Sequence, residues 1–275
     1  MAKNKTTGII GFISEYDGRE MLFDEYIDAV KRGDEPGAFP VPVLEGIKQM
    51  AMQTENVGNA LRVTSMLGCI RNVYFDKKIG QKYVTPSSYY PMFRGVMAHK
   101  AMEGFTVPGA VDEKRYTRKW KGVEISGKPD RIIPSERKIQ DYKSTNAVPE
   151  FGRAYKSHEE QLNIYRWLVN EDYQIDELEV IYMDMKTAKG IKLRIWEDGE
   201  LGNFLDKKIS LIKEALDNDN LPEYAKIPLC DYCPYVSECK AHALDTFMSR
   251  IAEEVKNGKP MQRGVLAKGV KKILG

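Results

Sequence analysis

Two short stretches, Gly127-Lys-Pro-Asp130 and Asp141-Tyr-Lys143, flank a turn signal at Pro134–Arg137. A four-residue turn there pairs the flanking segments as an antiparallel hairpin, in which Asp130 lies opposite Asp141 with Cβ atoms ~5 Å apart. Lys143 lies two residues beyond Asp141 and therefore projects from the same face. The sequence thus predicts two carboxylates and a lysine side by side on one sheet.

The facing carboxylates of Asp130 and Asp141 would repel each other and weaken a hairpin unless a divalent cation lay between them. Mg²⁺ and Mn²⁺ prefer carboxylate and water oxygens, lower the pKa of bound water and stabilise charge on a phosphate under attack. A lysine beside the metal can orient the water or neutralise developing negative charge. We interpret the two aspartates as metal ligands and Lys143 as a catalytic group; the alternative is a solvated hairpin with scattered charges.

Three further polar residues fit such a site. His99 lies in Gly95-x-x-x-His99 on a predicted helix, where an imidazole ligand would shift the metal preference toward Mn²⁺. Gln161 and Tyr165 are spaced i, i+4 on a second predicted helix and share one face, from which they could bind phosphate or hold Lys143. The alternatives are a packed or surface histidine and an ordinary amphipathic helix.

The coarse element order is a helix, three strands, a helix, two strands and a helix, which predicts an α/β fold with a mixed central β-sheet flanked by helices. Residues 1–60 are expected to be irregular and helical, and Ser157-x-x-Glu160 predicts a capping box. The predicted strands span residues 114–120, 123–133, 138–144, 178–186 and 191–196, with helices at 94–105, 157–170 and 201–216 and a turn region at 85–91.

The four cysteines form a second candidate site. Cys230-x2-Cys233-x5-Cys239 is a tight group, and Cys69 stands far upstream. Clustered thiolates indicate a metal, and four of them suit a [4Fe–4S] cluster. The alternative is a zinc site in which His242 replaces Cys69, which would then be a buried, inert thiol.

The motif order resembles that of the RecB-like branch of the PD-(D/E)xK nucleases over roughly residues 65–245. The resemblance implies a restriction-endonuclease-like core, with residues 1–64 as an accessory segment and 246–275 as a basic tail. It also implies Mg²⁺ or Mn²⁺ at the metal site, hydrolysis assisted by Lys143, and an acidic position of some relatives at Glu113. The matching motifs are Gly95/His99, Gly127/Pro129/Asp130, Asp141/Tyr142/Lys143 and Gln161/Tyr165, and the implied metal site comprises His99, Asp130, Asp141 and Tyr142.

One early and three late cysteines further resemble the iron–sulfur nucleases of this branch, which include CRISPR-associated (Cas) adaptation exonucleases. That resemblance implies an exonuclease acting on single-stranded DNA or DNA ends, with CRISPR adaptation or recombination proteins as partners; phage DNA processing is equally compatible. The alternative is a DNA-binding or assembly subunit with a structural iron–sulfur or zinc site, against which the intact Asp130, Asp141 and Lys143 argue.

A basic run with interleaved aromatics suits a phosphate backbone and stacked bases, although the net charge is only +2. The alternative is a solvated face. No apolar run approaches the roughly 18 residues needed to span a bilayer, and no signal peptide is predicted, so we expect a cytoplasmic protein without structural disulfides. The candidate DNA-binding residues are Lys114, Arg115, Arg118, Lys119 and Trp120, with Tyr116 as a second stacking candidate.

Overall fold

The computed structural model describes residues 8–53, 58–150, 152–257 and 263–274. The strands are β1 (Gly8–Ile13), β2 (Glu20–Leu22), β3 (Leu61–Arg62), β4 (Gln81–Val84), β5 (Val111–Asp112), β6 (Tyr116–Trp120), β7 (Val123–Gly127), β8 (Arg131–Ile133), β9 (Lys138–Ser144), β10 (Glu177–Met183) and β11 (Ala188–Leu193). The helices are α1 (Phe23–Arg32), α2 (Val41–Met52), α3 (Val63–Leu67), α4 (Ile70–Ile79), α5 (Pro86–Glu103), α6 (Lys156–Val169), α7 (Asp198–Asn218), α8 (Val236–Lys256) and α9 (Arg263–Leu274).

The chain forms two compact units. The first contains the described residues of Met1–Thr54, Ile70–Tyr89 and Glu214–Gly275, and the second those of Glu55–Cys69 and Tyr90–Lys213. No helix within the described ranges is both long and apolar enough to cross a membrane.

The first unit contains a three-stranded sheet in the order β2-β1-β4, with β1 antiparallel to β2 and parallel to β4. Its core includes the buried ring of Phe12. The centroid of this ring lies 4.8 Å from that of Phe23 and 5.1 Å from that of Tyr26, both of which are also buried. The expectation that residues 1–60 are only irregular and helical was therefore wrong. Strand β1 is stabilised by pairing with β4, a partner that no local pattern reveals.

The second unit is a mixed α/β structure with sheets flanked by helices. Its five-stranded sheet has the order β11-β10-β9-β8-β5, in which only β9 and β10 pair in parallel. A three-stranded sheet, β3-β7-β6, completes the unit. Helix α6 contacts strands of both sheets, namely β6, β7, β9 and β10. In the central strand β9, Ile139 and Asp141 are fully shielded from solvent.

The predicted hairpin register is confirmed. Arg131 faces Gln140 in the antiparallel pair of β8 and β9, and continuing that register brings Asp130 opposite Asp141. The connection is a short 3-10 turn at Pro134–Glu136. The local turn signal therefore sufficed to set this pairing.

Three local predictions were wrong. The segment predicted as one strand, 123–133, forms β7 and β8 in different sheets, because Pro129 lacks the N–H that a continuous ladder requires. The predicted turn at 85–91 forms the first turns of α5, where Pro86 is tolerated because the first helical N–H needs no partner. Helix α6 begins after Tyr155 without a side-chain cap, so the predicted capping box is absent.

Candidate active site

Three side chains from separate segments of the second unit converge at one point. Ligand atoms of His99, Glu113 and Asp130 all lie within 4.8 Å of one another. Nδ1 of His99 is 3.3 Å from Oδ1 of Asp130, and the Tyr142 backbone N–H donates to Oδ2 of Asp130 at 2.6 Å. One imidazole nitrogen and two carboxylates form a donor set suited to Mn²⁺ or Mg²⁺.

Glu113 is a candidate ligand that the motif analysis left outside the predicted metal site. Its backbone has a positive φ of 52°, its N–H donates to the Asp130 carbonyl at 3.1 Å, and its carboxylate pairs with Lys128. Burial raises the pKa of Glu113, Lys128 opposes that shift, and the Asp130 charge adds to it. The only sequence signal was its resemblance to an acidic position in relatives, because β6 and β7 separate it from Asp130 along the chain.

Asp141 lies outside this group of three but beside it. Its side chain is about 1% exposed, and Oδ1 accepts no hydrogen bond from any residue that the structure describes. Oδ2 lies 2.5 Å from Nζ of Lys143. Burial raises the pKa of Asp141 to about 6; the Lys143 charge opposes this shift and the Asp130 charge adds to it. A buried carboxylate with an unsatisfied oxygen is a group that a divalent cation would stabilise.

Lys143 and the α6 pair complete the cluster. Burial lowers the pKa of Lys143, but the charges of Asp141 and Asp130 outweigh burial and keep the ammonium protonated. Nε2 of the buried Gln161 donates to Oη of Tyr165 at 2.8 Å, and burial raises the pKa of that phenol, which stays protonated. A cavity of about 490 Å³ is lined by His99, Glu113, Asp130, Lys143, Gln161 and Tyr165, among others.

The glycine of the Gly-x-Pro-Asp motif has a packing role. A Cβ at Gly127 would lie 2.8 Å from Cε1 of Tyr165 and 2.7 Å from Cδ1 of Leu168. Because the Tyr165 ring and the Leu168 side chain are both buried, neither can move away freely. Gly127 thus allows α6 to approach β7 closely enough to bring Tyr165 to the cavity.

Tyr142, the fourth predicted metal ligand, contacts the site with its backbone and not with its side chain. Its side chain is buried, and the Arg131 guanidinium lies 5.7 Å from the centre of its ring. Its observed contact with the site is the backbone N–H that holds Asp130. Tyr142 thus contacts the candidate metal site through its main chain rather than through its phenol.

The sequence analysis did not identify a further polar pair, His158 and Tyr182, whose histidine lies within reach of the Lys143 charge. Nδ1 of His158 lies 2.6 Å from Oη of Tyr182, which also accepts the Tyr155 backbone N–H at 3.0 Å. Burial lowers the pKa of His158 to about 4, and the Lys143 charge adds to that shift, so the imidazole is neutral. His158 lies three residues before Gln161 on the same helix face, and that spacing was the available signal.

The basic run divides between the two faces of β6. Arg115 lines the cavity and donates to Oγ of Ser126 at 3.1 Å, whereas Lys119 is exposed. Nζ of Lys114 lies 3.9 Å from Oδ2 of Asp172 and 4.9 Å from the centre of the Tyr116 ring. Only Arg115 among these residues lies at the candidate active site.

The other face of β6 packs within the unit. Arg118 donates to the Trp167 carbonyl at 2.8 Å, and Nε1 of Trp120 donates to Oδ1 of Asp206 at 2.9 Å. Tyr116 is buried, so its predicted stacking on a base was wrong. Side chains alternate along a strand, and residues 116, 118 and 120 share the face directed at α6 and α7.

The late cysteines lie in the first unit, where each sulfur accepts an N–H hydrogen bond. The donor distances are 3.4 Å to Cys230, 3.3 Å to Cys233 and 3.0 Å to Cys239. Such donors stabilise thiolates, the form that binds metal. The donors are the Ile227 backbone N–H, the Asn72 amide and the Arg71 guanidinium, respectively.

His242 is engaged elsewhere. Its Nδ1 lies 3.3 Å from Nη2 of Arg71 and 3.4 Å from Oγ1 of Thr246. In the described part of the first unit, no three ligand atoms of the late cysteines and His242 lie within 4.8 Å of one another. Tetrahedral zinc with bonds of ~2.3 Å requires sulfurs ~3.8 Å apart, whereas the thiolates of a [4Fe–4S] cluster bind different irons and stand wider. His242 and the late cysteines thus do not group as a compact zinc site among the residues that the structure describes.

Comparison with known proteins identifies the family. A family model described as the PD-(D/E)XK nuclease superfamily matches residues 81–240, more than half of the chain. The crystal structure of SSO0001 has a TM-score of 0.51 at 18% identity, covering 70% of this chain and 91% of its own. A phage related exonuclease from Haemophilus somnus 129PT has a TM-score of 0.37 at 12% identity, covering 58% and 94%. No curated protein matches the chain. The chain belongs to the PD-(D/E)XK nuclease superfamily.

Proposed function

We propose that the protein is a Mg²⁺- or Mn²⁺-dependent DNA exonuclease that acts on single-stranded DNA or on DNA ends. The observation that carries the proposal is the convergence of His99, Glu113 and Asp130 beside the buried carboxylate of Asp141. Membership of the nuclease superfamily supports a nucleic-acid substrate. The RecB-like motif order supports the exonuclease mode and a role in CRISPR adaptation or phage DNA processing.

The site's own residues have separable tasks in this mechanism. His99, Glu113 and Asp130 would hold a divalent cation, which would supply a water of lowered pKa and stabilise charge on the phosphate. The Tyr142 N–H fixes the orientation of Asp130 as a ligand. The Lys143 ammonium, held by Asp141, neutralises negative charge as it develops on the phosphate. Tyr165, oriented by Gln161, donates a hydrogen bond toward the cavity and keeps water ordered there.

Cleavage of end-labelled single-stranded DNA with Mn²⁺ tests the proposal. Asp141→Asn and Lys143→Ala should each lower the rate by at least about 100-fold while the melting temperature with EDTA stays within a few degrees of wild type. The matched control is Lys119→Ala, an exposed lysine outside the cavity, which should cleave normally.

A circular single-stranded DNA, which has no ends, distinguishes an exonuclease from an endonuclease. Linear DNA should be degraded from its ends and circular DNA of the same sequence should survive. Rapid cleavage of the circle would leave a nuclease but exclude the exonuclease mode. Unchanged cleavage by both Asp141→Asn and Lys143→Ala would exclude this active site.

We further propose that the cysteines hold a structural [4Fe–4S] cluster, with Cys230, Cys233 and Cys239 as three ligands. The N–H donors to all three sulfurs support this assignment. The assignment of Cys69 as the fourth ligand rests on the sequence motif alone. A cluster would close a long loop of the chain and thereby stabilise the fold.

A further inference from the structure

Helix α5 is apolar but poorly covered. Within Pro86–Glu103 only Pro86 is buried, although the helix carries Tyr90, Phe93 and Val96. Met92 is 57% exposed. A helix of this length in a globular protein ordinarily buries one face, whereas α5 leaves its apolar side chains partly exposed.

Gly95 lies in the interior of this helix without a structural reason for being glycine. Its φ is not in the left-handed region, and a Cβ there would meet nothing within 4 Å. Glycine is the least favourable helix-interior residue after proline. Since neither backbone conformation nor packing requires it, the space above Gly95 is left for something outside the fold. That space belongs to the cavity that also contains His99, one helical turn further on.

The cavity around Gly95 offers both kinds of contact that a nucleic-acid strand uses. Cationic side chains line it and suit phosphates. Met92 and Val96 flank Gly95 and offer apolar surface to bases. Unstacked bases expose their faces, whereas those of a duplex are covered by their neighbours. The cationic lining residues are Arg62, Lys100, Arg115, Lys128 and Lys143.

We propose that Gly95 is the passage point of the substrate: the sugar–phosphate backbone of a single DNA strand crosses α5 at Gly95, with bases against Met92 and Val96, and so reaches the ligands at His99. The inference rests on the proposed nuclease function. It adds that the DNA enters the cavity as a single strand and that Gly95 is the residue over which it passes. Gly95 would thus determine specificity because it has no side chain. Any larger residue at this position would narrow the space through which the DNA strand passes.

The test is a size series, Gly95→Ala and Gly95→Leu, with Gly199→Ala as matched control. Gly199 lies in the first turn of α7, and a Cβ there also meets nothing within 4 Å. Affinity for a fluorescent single-stranded oligonucleotide should fall about 5-fold with alanine and at least 30-fold with leucine, with no loss of melting temperature. Gly199→Ala should bind like wild type, and Mn²⁺ affinity should be unchanged in all three.

A small phosphodiester separates a blocked path from a damaged centre. Bis(p-nitrophenyl) phosphate has no strand to pass over α5, so Gly95→Leu should lose far less activity on this small diester than on single-stranded DNA, for which its KM should rise. Wild-type affinity and KM for DNA in Gly95→Leu would overturn the inference, as would equal loss on both substrates. If the wild type hydrolyses neither substrate, the proposed function fails. Oligonucleotide binding by the Gly95 variants, measured in the Asp141→Asn background, still decides whether Gly95 admits a strand.

Discussion

Nδ1 of His99 lies 3.3 Å from Oδ1 of Asp130, a contact that joins α5 to the residue before β8. Burial lowers the pKa of His99, but the hydrogen bond and charge of Asp130 outweigh burial, and the pKa stands above its ordinary value. The raised pKa of His99 favours the protonated imidazole, which forms an ion pair with the Asp130 carboxylate. A metal would replace the shared proton and bind both groups.

Removing the imidazole should weaken the metal site. We expect His99→Ala to lower Mn²⁺ affinity at least about tenfold and to shift the preference from Mn²⁺ toward Mg²⁺, because a nitrogen ligand favours Mn²⁺. Titration calorimetry measures both affinities. His242→Ala, which changes a histidine of the first unit, is the control and should bind Mn²⁺ normally. An unchanged Mn²⁺ affinity in His99→Ala would remove His99 from the ligand set.

Mn²⁺ affinity should depend steeply on pH. Burial raises the pKa of Asp141 to about 6, and the pKa of His99 is also raised, so both groups carry protons in the metal-free protein below that pH. The metal must displace these protons, so affinity should fall as pH falls through about 6, by tenfold to a hundredfold per unit. Asp141→Asn should flatten the profile. A wild-type affinity that is constant from pH 5 to pH 7 would contradict the prediction.

Some residues of the basic run should bind DNA, whereas others should only stabilise the fold. Arg115→Ala should weaken single-stranded DNA binding and lower the slope of log affinity against log salt by about one, because Arg115 lines the cavity. Arg118→Ala should instead lower the melting temperature, because Arg118 donates to Trp167 and Asn170. Lys119→Ala should change neither quantity much. Equal loss of DNA affinity in Arg115→Ala and Lys119→Ala would mean that the whole run contacts DNA.

The cysteine site should hold iron rather than zinc. Protein purified without oxygen should be brown, with about four irons per chain. Cys69→Ala should cost the colour and much of the stability, whereas His242→Ala should cost little, since His242 contacts Arg71 and Thr246. Colourless, zinc-loaded wild-type protein that tolerates Cys69→Ala but not His242→Ala would reverse the assignment.

The local sequence determined those parts of the site that depend on short-range geometry. The turn at Pro134–Glu136 sets the register that brings Asp130 opposite Asp141, and strand alternation puts Lys143 beside the latter. Helical spacing likewise places Gln161 and Tyr165 on one face. Each of these relationships spans at most one turn and one pair of strands, so residue types and spacing were sufficient.

Tertiary structure alone decided which distant groups joined the site. Glu113 meets His99 and Asp130 because β5 pairs with β8, and no local pattern encodes that pairing. Likewise, Arg118 and Trp120 could have faced DNA or the protein, and the packing of β6 against α6 and α7 directs them inward. A sequence specifies which side chains share a face, but which face is covered depends on long-range packing, where burial of apolar area outweighs local preference.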